Sequence, residues 1–301
     1  MTETSVAVLG TGIMGSAMAR NLIEHGLPTT VWDRSAAATA PLGEAGARVA
    51  ASAREAVEDA TVVITMLPTA DIATEVVFGG DNGDNSVAAA FGRGAVWAQM
   101  GTIGIPATGG IERQLHGLRS DVMFVDAPVS GSKGPAEAGQ LLILASGPEA
   151  AQPVIRPAFA AIGRKTVWLG EAGQGSRMKV VVNAYLSILI EGVAETLELA
   201  TRLGVDPAAL SDSIEGGPLD APLAGAKLHK MERGDYAPEF PLEWALKDVD
   251  LALDAAGDDR LPMLEVLARQ WRAAVQVGHG REDISAARLA LGGRSAADSR
   301  C

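Results

Sequence analysis

Over the first half of the chain, short runs of apolar and β-branched residues alternate with segments of helical period. SVAVLG (5–10) reads as a buried strand, and MGSAMARNLIEHG reads as a helix that closes at Gly26. TTVWD (29–33), TVVITMLP (61–68), GAVWAQMG (94–101) and DVMFVDAP (121–128) read as further strands. QLLILASG (140–147) and KTVWLG (165–170) continue the series, with helical patterns over 106–119 and 149–162. Such alternation predicts a parallel sheet with helices on both faces, because parallel neighbours must be joined by a crossover.

Past Gly170 the strands stop. Helical patterns run over 174–203, 207–215, 221–233, 241–256 and 262–278, broken by Gly and Pro. The chain is therefore expected to hold an α/β domain over 1–170 and an all-helical domain over 171–301. The first long helix, within RMKVVVNAYLSILIEGVAETLELA (177–200), carries Lys179, Asn183 and Ser187 four residues apart, hence on one face. One reading is an ordinary solvated stripe. The other is the wall of a ligand-filled cleft between the domains, since the flanks are Val, Tyr, Leu and Ile and no second charge occurs before Glu191.

Composition narrows the class. The chain has 301 residues, 48% apolar and 21% charged, which suits globular domains with large cores. Lys and Arg number 25 against 37 Asp and Glu, a net charge of -12, which argues against nucleic-acid partners and anionic membranes. No apolar run approaches the roughly 20 residues that span a bilayer. The single cysteine, Cys301, allows no disulfide within the chain, and the four scattered histidines lack ligand spacing, so no metal site is expected. MTETSVAVLG carries no leader signature, and a cytoplasmic location is expected.

The strongest motif is G-x-G-x-x-G, spanning Gly10, Thr11, Gly12, Ile13, Met14 and Gly15 between the first strand and the first helix. Its glycines give a tight turn, close approach of backbone to a pyrophosphate, and close helix–strand packing. That context predicts a Rossmann-type, doubly wound dinucleotide-binding domain. Asp33, at the end of the second strand, can hold a ribose 2′-hydroxyl and favours NAD. Arg34 and Ser35 follow at once, and an arginine there can hold a 2′-phosphate, which favours NADP. Further on, Ser130, Gly131 and Ser132 form a loop after a strand. They can present a hydroxyl and successive N–H groups to a carboxylate, or make an ordinary turn.

Four motifs in order make the chain resemble the β-hydroxyacid dehydrogenase family. They are the Gly10–Gly15 loop, DAPVSGSKGPAEAG from Asp126 to Gly139, GQGSRMKVVVN from Gly173 to Asn183, and KDVDLAL from Lys247. The resemblance implies an NAD(P)-dependent oxidoreductase with a C-terminal domain like that of 6-phosphogluconate dehydrogenase. It implies that Lys179 is catalytic, with Asn183 helping to hold substrate. It implies that Ser130 and Gly131, with Ser132 third, bind the substrate carboxylate. Lys247 is implied near substrate and nicotinamide, and Met66, Leu67, Pro68 and Thr102 beside the cofactor.

The family's usual third loop residue is glycine, where this chain has Ser132. SGSKGPAEAGQL and FPLEWALKD look closest to the glyoxylate/succinic semialdehyde reductase branch. NADP users of the family commonly carry Asn-Arg where this chain has Asp33-Arg34, so NADP is expected with NAD left open. The expected substrate is a small β-hydroxy acid or semialdehyde, and the expected assembly a homodimer or tetramer. Two other readings are an imine reductase-like enzyme, against which Lys179 argues, and a non-catalytic cofactor-binding sensor, against which Lys179 and the carboxylate loop argue together.

Overall fold

The computed structural model describes residues 4–79 and 86–291; Cys301 lies outside them, as do the first three residues. β1 (Val6–Leu9) leads into α1 (Ile13–Glu24), β2 (Thr29–Trp32) into α2 (Ala36–Glu44), and β3 (Arg48–Val49) into α3 (Ala53–Val57). β4 (Val62–Thr65) leads into α4 (Ala70–Phe78), and β5 (Val96–Gln99) into α5 (Ile105–Leu118) and then β6 (Met123–Asp126). β7 (Val129–Ser130), α6 (Lys133–Glu137), β8 (Leu141–Ala145), α7 (Gln152–Ile162) and β9 (Gly163–Trp168) follow. Among the described residues the remaining α-helices are α8 (Gln174–Leu203), α9 (Pro207–Ile214), α10 (Pro222–Arg233), α11 (Leu242–Ala256) and α12 (Pro262–Gln276).

Six strands form one parallel sheet in the order β3-β2-β1-β4-β5-β6. The winding reverses between β1 and β4, which opens a crevice at their carboxyl ends, where ligands bind in doubly wound sheets. Side-chain alternation splits each strand between two apolar layers. Val6, Val8, Val62, Ile64, Val96 and Ala98 pack on one side, and Ala7, Leu9, Val63, Trp97 and Phe124 on the other. Burial on both faces explains why these strands read as continuous apolar runs rather than alternating ones.

The stretches 140–147 and 165–170 are strands, but not of that sheet. β8 and β9 pair in parallel, β7 pairs antiparallel with β8, and the three form a separate sheet. Only the segment holding α6 separates β7 from β8, and a parallel crossover needs a dozen or more residues. β3, β7, α2, α3, α4 and α6 carried no sequence expectation. All are short, and α2 contains Pro41, so periodicity had little length on which to register.

The chain divides into two compact units, Met1–Lys179 and Val180–Cys301, and α8 runs unbroken through the division. α8 revises one expectation. By length and composition it could span a bilayer, with a mean hydropathy of 1.5 over its most apolar window. Single polar residues four apart interrupt the run and hide this length from inspection. They are buried: Lys179 is 8% exposed, Asn183 2%, Ser187 1% and Glu191 7%. The stripe thus runs one step further than Ser187 and does not face water.

Within the second unit, Leu242, Ala245 and Val249 of α11 and Leu264, Leu267 and Trp271 of α12 are buried. Each of the leucines and Val249 contributes about 1.5–3 kcal/mol on burial. The same unit buries Lys227, which donates to Asp283 (2.9 Å) and to Glu239 (2.9 Å). Asp283 also accepts from the backbone of Glu239, Phe240 and Ser285, so its charge is well compensated.

Glu191 has less compensation. Trp271 Nε1–H donates to its Oε2 at 2.6 Å, while Oε1 is buried without a partner. Desolvation therefore pushes its carboxyl from the ordinary 4.5 up to about 7; the indole hydrogen bond opposes this and the Glu195 charge adds to it. Below the ordinary value both folded and unfolded chains hold this proton, so the group adds no pH dependence. Above it the unfolded chain releases the proton while the folded protein keeps it. Folding stability from this group therefore falls as pH rises from about 4.5 to about 7, by up to about 3 kcal/mol. Glu191→Gln keeps an acceptor for Trp271 and removes the titration. Its melting temperature should gain on the wild type as pH rises from about 5 to about 8. A difference between the two proteins that does not change with pH would refute the assignment.

Candidate active site

Gly10, at the end of β1, turns at φ 93°, in the left-handed region open to glycine. A Cβ on Gly10 would stand 2.6 Å from Met66 O, and one on Gly15 1.9 Å from Gly10 O. A Cβ on Gly12 would meet nothing within 4 Å. The three glycines thus divide their work. Gly10 and Gly15 let the loop, α1 and the segment after β4 come together, and Gly12 leaves open space beside the N-terminus of α1. The Thr11 hydroxyl is buried there without a partner. Free N–H groups, a positive helix end and a cleared approach fit a pyrophosphate.

Asp33 ties this loop to the end of β2. Its Oδ2 accepts from Thr11 N–H (2.8 Å) and its Oδ1 from Ser35 N–H (2.9 Å). Both carboxylate oxygens are turned onto backbone, and the Arg34 and Ser35 side chains are exposed. Spare lone pairs remain on the carboxylate for a ribose hydroxyl.

The loops after β4 and β5 meet the same edge. A Cβ on Gly101 would lie 2.2 Å from Leu67 O, so the backbones of Met66–Pro68 and Gly101–Thr102 run in close contact. A buried polar chain fixes them. Trp97 Nε1–H donates to Thr65 Oγ1 (3.0 Å), Thr65 to Gln99 Oε1 (3.1 Å), and Gln99 Nε2 to Gly101 O (2.6 Å). Phe78, Phe91 and Phe124 pack edge-on around Trp97, with centroids 5.2–5.9 Å away. Loop position is thereby set by the core beneath it.

Ser130 ends β7, and Gly131 and Ser132 connect it to α6. Gly131 sits at φ 139°, a conformation that strains any side chain, and a Cβ there would meet Leu141 Cδ2 at 2.8 Å and force that side chain to shift. Asn21, buried on α1, donates to the carbonyls of Ala136 and Glu137 and anchors α6.

Lys179 and Asn183 lie one turn apart on the buried face of α8. Asn183 Nδ2 donates to Asp248 Oδ2, and Asp248 Oδ1 pairs with Lys247 Nζ at 2.9 Å. Asp248 is 4% exposed and joins two of the residues implied by the motifs. The sequence reading gave Asp248 no role, although it follows Lys247 directly in KDVDLAL. Its signal was an acid on the apolar face of an amphipathic helix. The structure therefore gathers the candidate residues into separate groups: the Gly10–Gly15, Asp33, Met66–Pro68 and Thr102 edge; the Ser130–Ser132 loop; Lys179 at the start of α8; and Asn183 with Asp248 and Lys247.

Comparison with known proteins agrees over nearly the whole chain. The model of the NAD-binding domain of 6-phosphogluconate dehydrogenase matches residues 5–170. That of the NAD-binding domain of NADP-dependent 3-hydroxyisobutyrate dehydrogenase matches residues 173–291. Glyoxylate/succinic semialdehyde reductase 1 of Arabidopsis thaliana is 35% identical over 93% of this chain and 96% of its own length. The crystal structure of 3-hydroxyisobutyrate dehydrogenase from Salmonella typhimurium superposes with a TM-score of 0.86 at 28% identity, covering 95% of this chain and 99% of that one. An imine reductase from a Pseudomonas species shares the fold at a TM-score of 0.61 and 20% identity, covering 96% of this chain and 100% of its own. With its dinucleotide loop, Lys179–Asn183 stripe and KD motif in family order, the chain belongs to the β-hydroxyacid dehydrogenase family and is an NAD(P)-dependent oxidoreductase.

Proposed function

We propose that the protein interconverts a small carboxylate-bearing semialdehyde or oxo acid, of the glyoxylate or succinic semialdehyde type, with the matching hydroxy acid, using NADP(H). The observation that carries this reading is the buried stripe on α8. It sets an ammonium and an amide one turn apart on one helix face, out of bulk water, which are the residue types a proton-transfer step to a carbonyl oxygen needs. Similarity to the Arabidopsis reductase supports the substrate class.

The bound nicotinamide supplies or accepts the hydride. The protein provides the remaining chemistry. As hydride reaches the carbonyl carbon, charge develops on the oxygen, and the Lys179 ammonium donates a hydrogen bond and then a proton to it. In the reverse direction the neutral amine takes the hydroxyl proton. Asn183 is oriented by Asp248 and can hold the substrate hydroxyl without adding charge. Ser130 with the N–H groups of Gly131 and Ser132 receives the carboxylate. Arg34 receives the 2′-phosphate, while Asp33, committed to Thr11 and Ser35, is turned toward the loop. The exposed apolar residues Val181, Tyr185, Leu199 and Leu203 of α8 support a homodimer or tetramer.

Lys179→Met should leave the fold and NADPH affinity intact and lower turnover by about 10²–10⁴-fold. Steady-state kinetics with glyoxylate and succinic semialdehyde test this, and wild-type turnover in the variant would remove the mechanism. Arg34→Ala should weaken NADPH binding by about 1.5–3 kcal/mol and barely change NADH. Equal losses for both cofactors in a fluorescence titration would sink that assignment. Alkyl aldehydes of similar size should be poor substrates, because they forgo the charge-assisted hydrogen bonds that the Ser130–Ser132 donors offer a carboxylate. Equal kcat/KM for an acid and its uncharged analogue would exclude the carboxylate site.

A further inference from the structure

We infer that Asp126 is a positioning residue for the proton-transfer step: its buried carboxylate clamps the first turn of α8 and thereby sets where Lys179 stands. The inference rests on the reading of Lys179 as the proton donor. Asp126 ends β6 and is fully buried. Its Oδ2 accepts Ser176 N–H at 2.7 Å, and its Oδ1 accepts the Ser176 hydroxyl at 2.7 Å. Ser146 Oγ reaches the same carboxylate at 3.3 Å and accepts Gly175 N–H at 2.8 Å. Thr108 Oγ1 stands 3.0 Å from Ser176 Oγ and donates to Gly104 O at 2.9 Å.

The backbone is built for this clamp. Asp126 and Ser146 exchange N–H···O bonds of 2.9 and 2.8 Å, which fastens the end of the parallel sheet to the second sheet. A Cβ on Gly175 would lie 2.4 Å from Leu144 O and 2.7 Å from Asp126 O, so α8 begins in backbone contact with both strands. Lys179 follows Ser176 by three residues, hence one turn along the same side.

A helix start of this kind could be capped by a serine alone. Here an acid is buried for it instead. Desolvation pushes the Asp126 carboxyl up from its ordinary pKa, and the two Ser176 bonds pull it back. The return is rigidity, since a carboxylate accepting two bonds from one residue fixes both the height and the rotation of the helix turn. Misplacing a reacting group by about 1 Å can cost about 10²-fold in rate.

Asp126→Asn keeps the shape but replaces one acceptor with a donor. In the full-length enzyme it should lower kcat by about 10–100-fold and leave KM for both substrates, and the NADPH Kd, within about threefold. Ser176→Ala removes only the hydroxyl limb and should cost a smaller factor in kcat, while Ser176→Thr, which keeps the hydroxyl, should restore it. Because the clamp works through Lys179, adding Asp126→Asn to Lys179→Met should reduce the residual rate by no more than about twofold. Wild-type kcat in folded Asp126→Asn would overturn the inference, as would the same fractional loss in the Lys179→Met background, which marks a purely structural effect. If Asp126→Asn does not fold, the Ser176 pair and its Lys179→Met combinations give the same decision. The two readings fail differently. A fully active Lys179→Met variant refutes the proton donor itself, whereas an impaired Lys179→Met variant beside a normal Asp126→Asn refutes the clamp alone.

Discussion

No side chain fits between the start of α1 and the end of β1. A Cβ on Gly15 would fall 1.9 Å from the Gly10 carbonyl oxygen, a contact no rotamer adjustment relieves. This close approach sets the angle at which α1 leaves the sheet and so the direction of its first N–H groups. Other features of the edge follow from it. Met66 O lies where a Gly10 side chain would be, Gly101 is pressed on Leu67 O, and Asp33 reaches back to Thr11. Loops that would otherwise sample many conformations are held by backbone contact and by acceptors buried in the sheet. The entropy lost is offset in the core below, where Trp97 and three phenylalanines fill the layer under β5.

Desolvation is the second organising cost. α8 buries a lysine, an amide, a hydroxyl and a carboxyl at successive four-residue steps. The partners differ along the stripe. Asn183 is fixed by Asp248, and Glu191 by a single indole bond that leaves one oxygen unsatisfied. The Glu191 proton is therefore held far more tightly than usual, whereas Asp283, bonded to Lys227 and to three backbone N–H groups, keeps its carboxyl below the ordinary range despite burial. Both are raised by burial; the Lys227 charge and its hydrogen bonds reverse this at Asp283, whereas Glu191 has one indole donor and the like charge of Glu195, so two buried acids in one unit diverge.

Much of this was legible in the sequence. α8 runs from Gln174 to Leu203, as its periodicity says, because a long helix gives the pattern many repeats in which to register. The Gly10–Gly15 loop was legible because its flanking strand and helix specify its geometry. The second sheet was not. β7 has two residues, and its antiparallel partnering is dictated by a short connection rather than by any apolar pattern. Glu191 stands at the next four-residue step after Ser187, but a glutamate at the end of an apolar run reads as the return to solvent. Asp248 and Asp126 escaped for a related reason. An acid beside a lysine, or closing a strand, looks like surface chemistry until its neighbours are seen to come from far along the chain. Ser176 lies fifty positions from Asp126, and Asn183 sixty-five from Asp248.

The charge balance makes local placement decisive. A chain of net charge -12 belongs to a family that binds a dinucleotide phosphate, and in the reading proposed here its substrate is also an anion. The mean field repels both. At physiological ionic strength that field is screened within about 8 Å, so it slows encounter more than it weakens a seated ligand. Affinity must then come from donors within hydrogen-bonding reach. Backbone N–H groups serve best, since they add positive potential without adding a side chain that needs its own counter-charge. In the proposed reading the chain would use them at the N-terminus of α1 and at Gly131 and Ser132. Its candidate cations are few, and one of them, Lys247, is already paired with Asp248. In the proposed reading, a site built mainly from oriented backbone, with Lys179 kept for the step that needs a proton, would let a strongly acidic protein handle anions with few cations of its own.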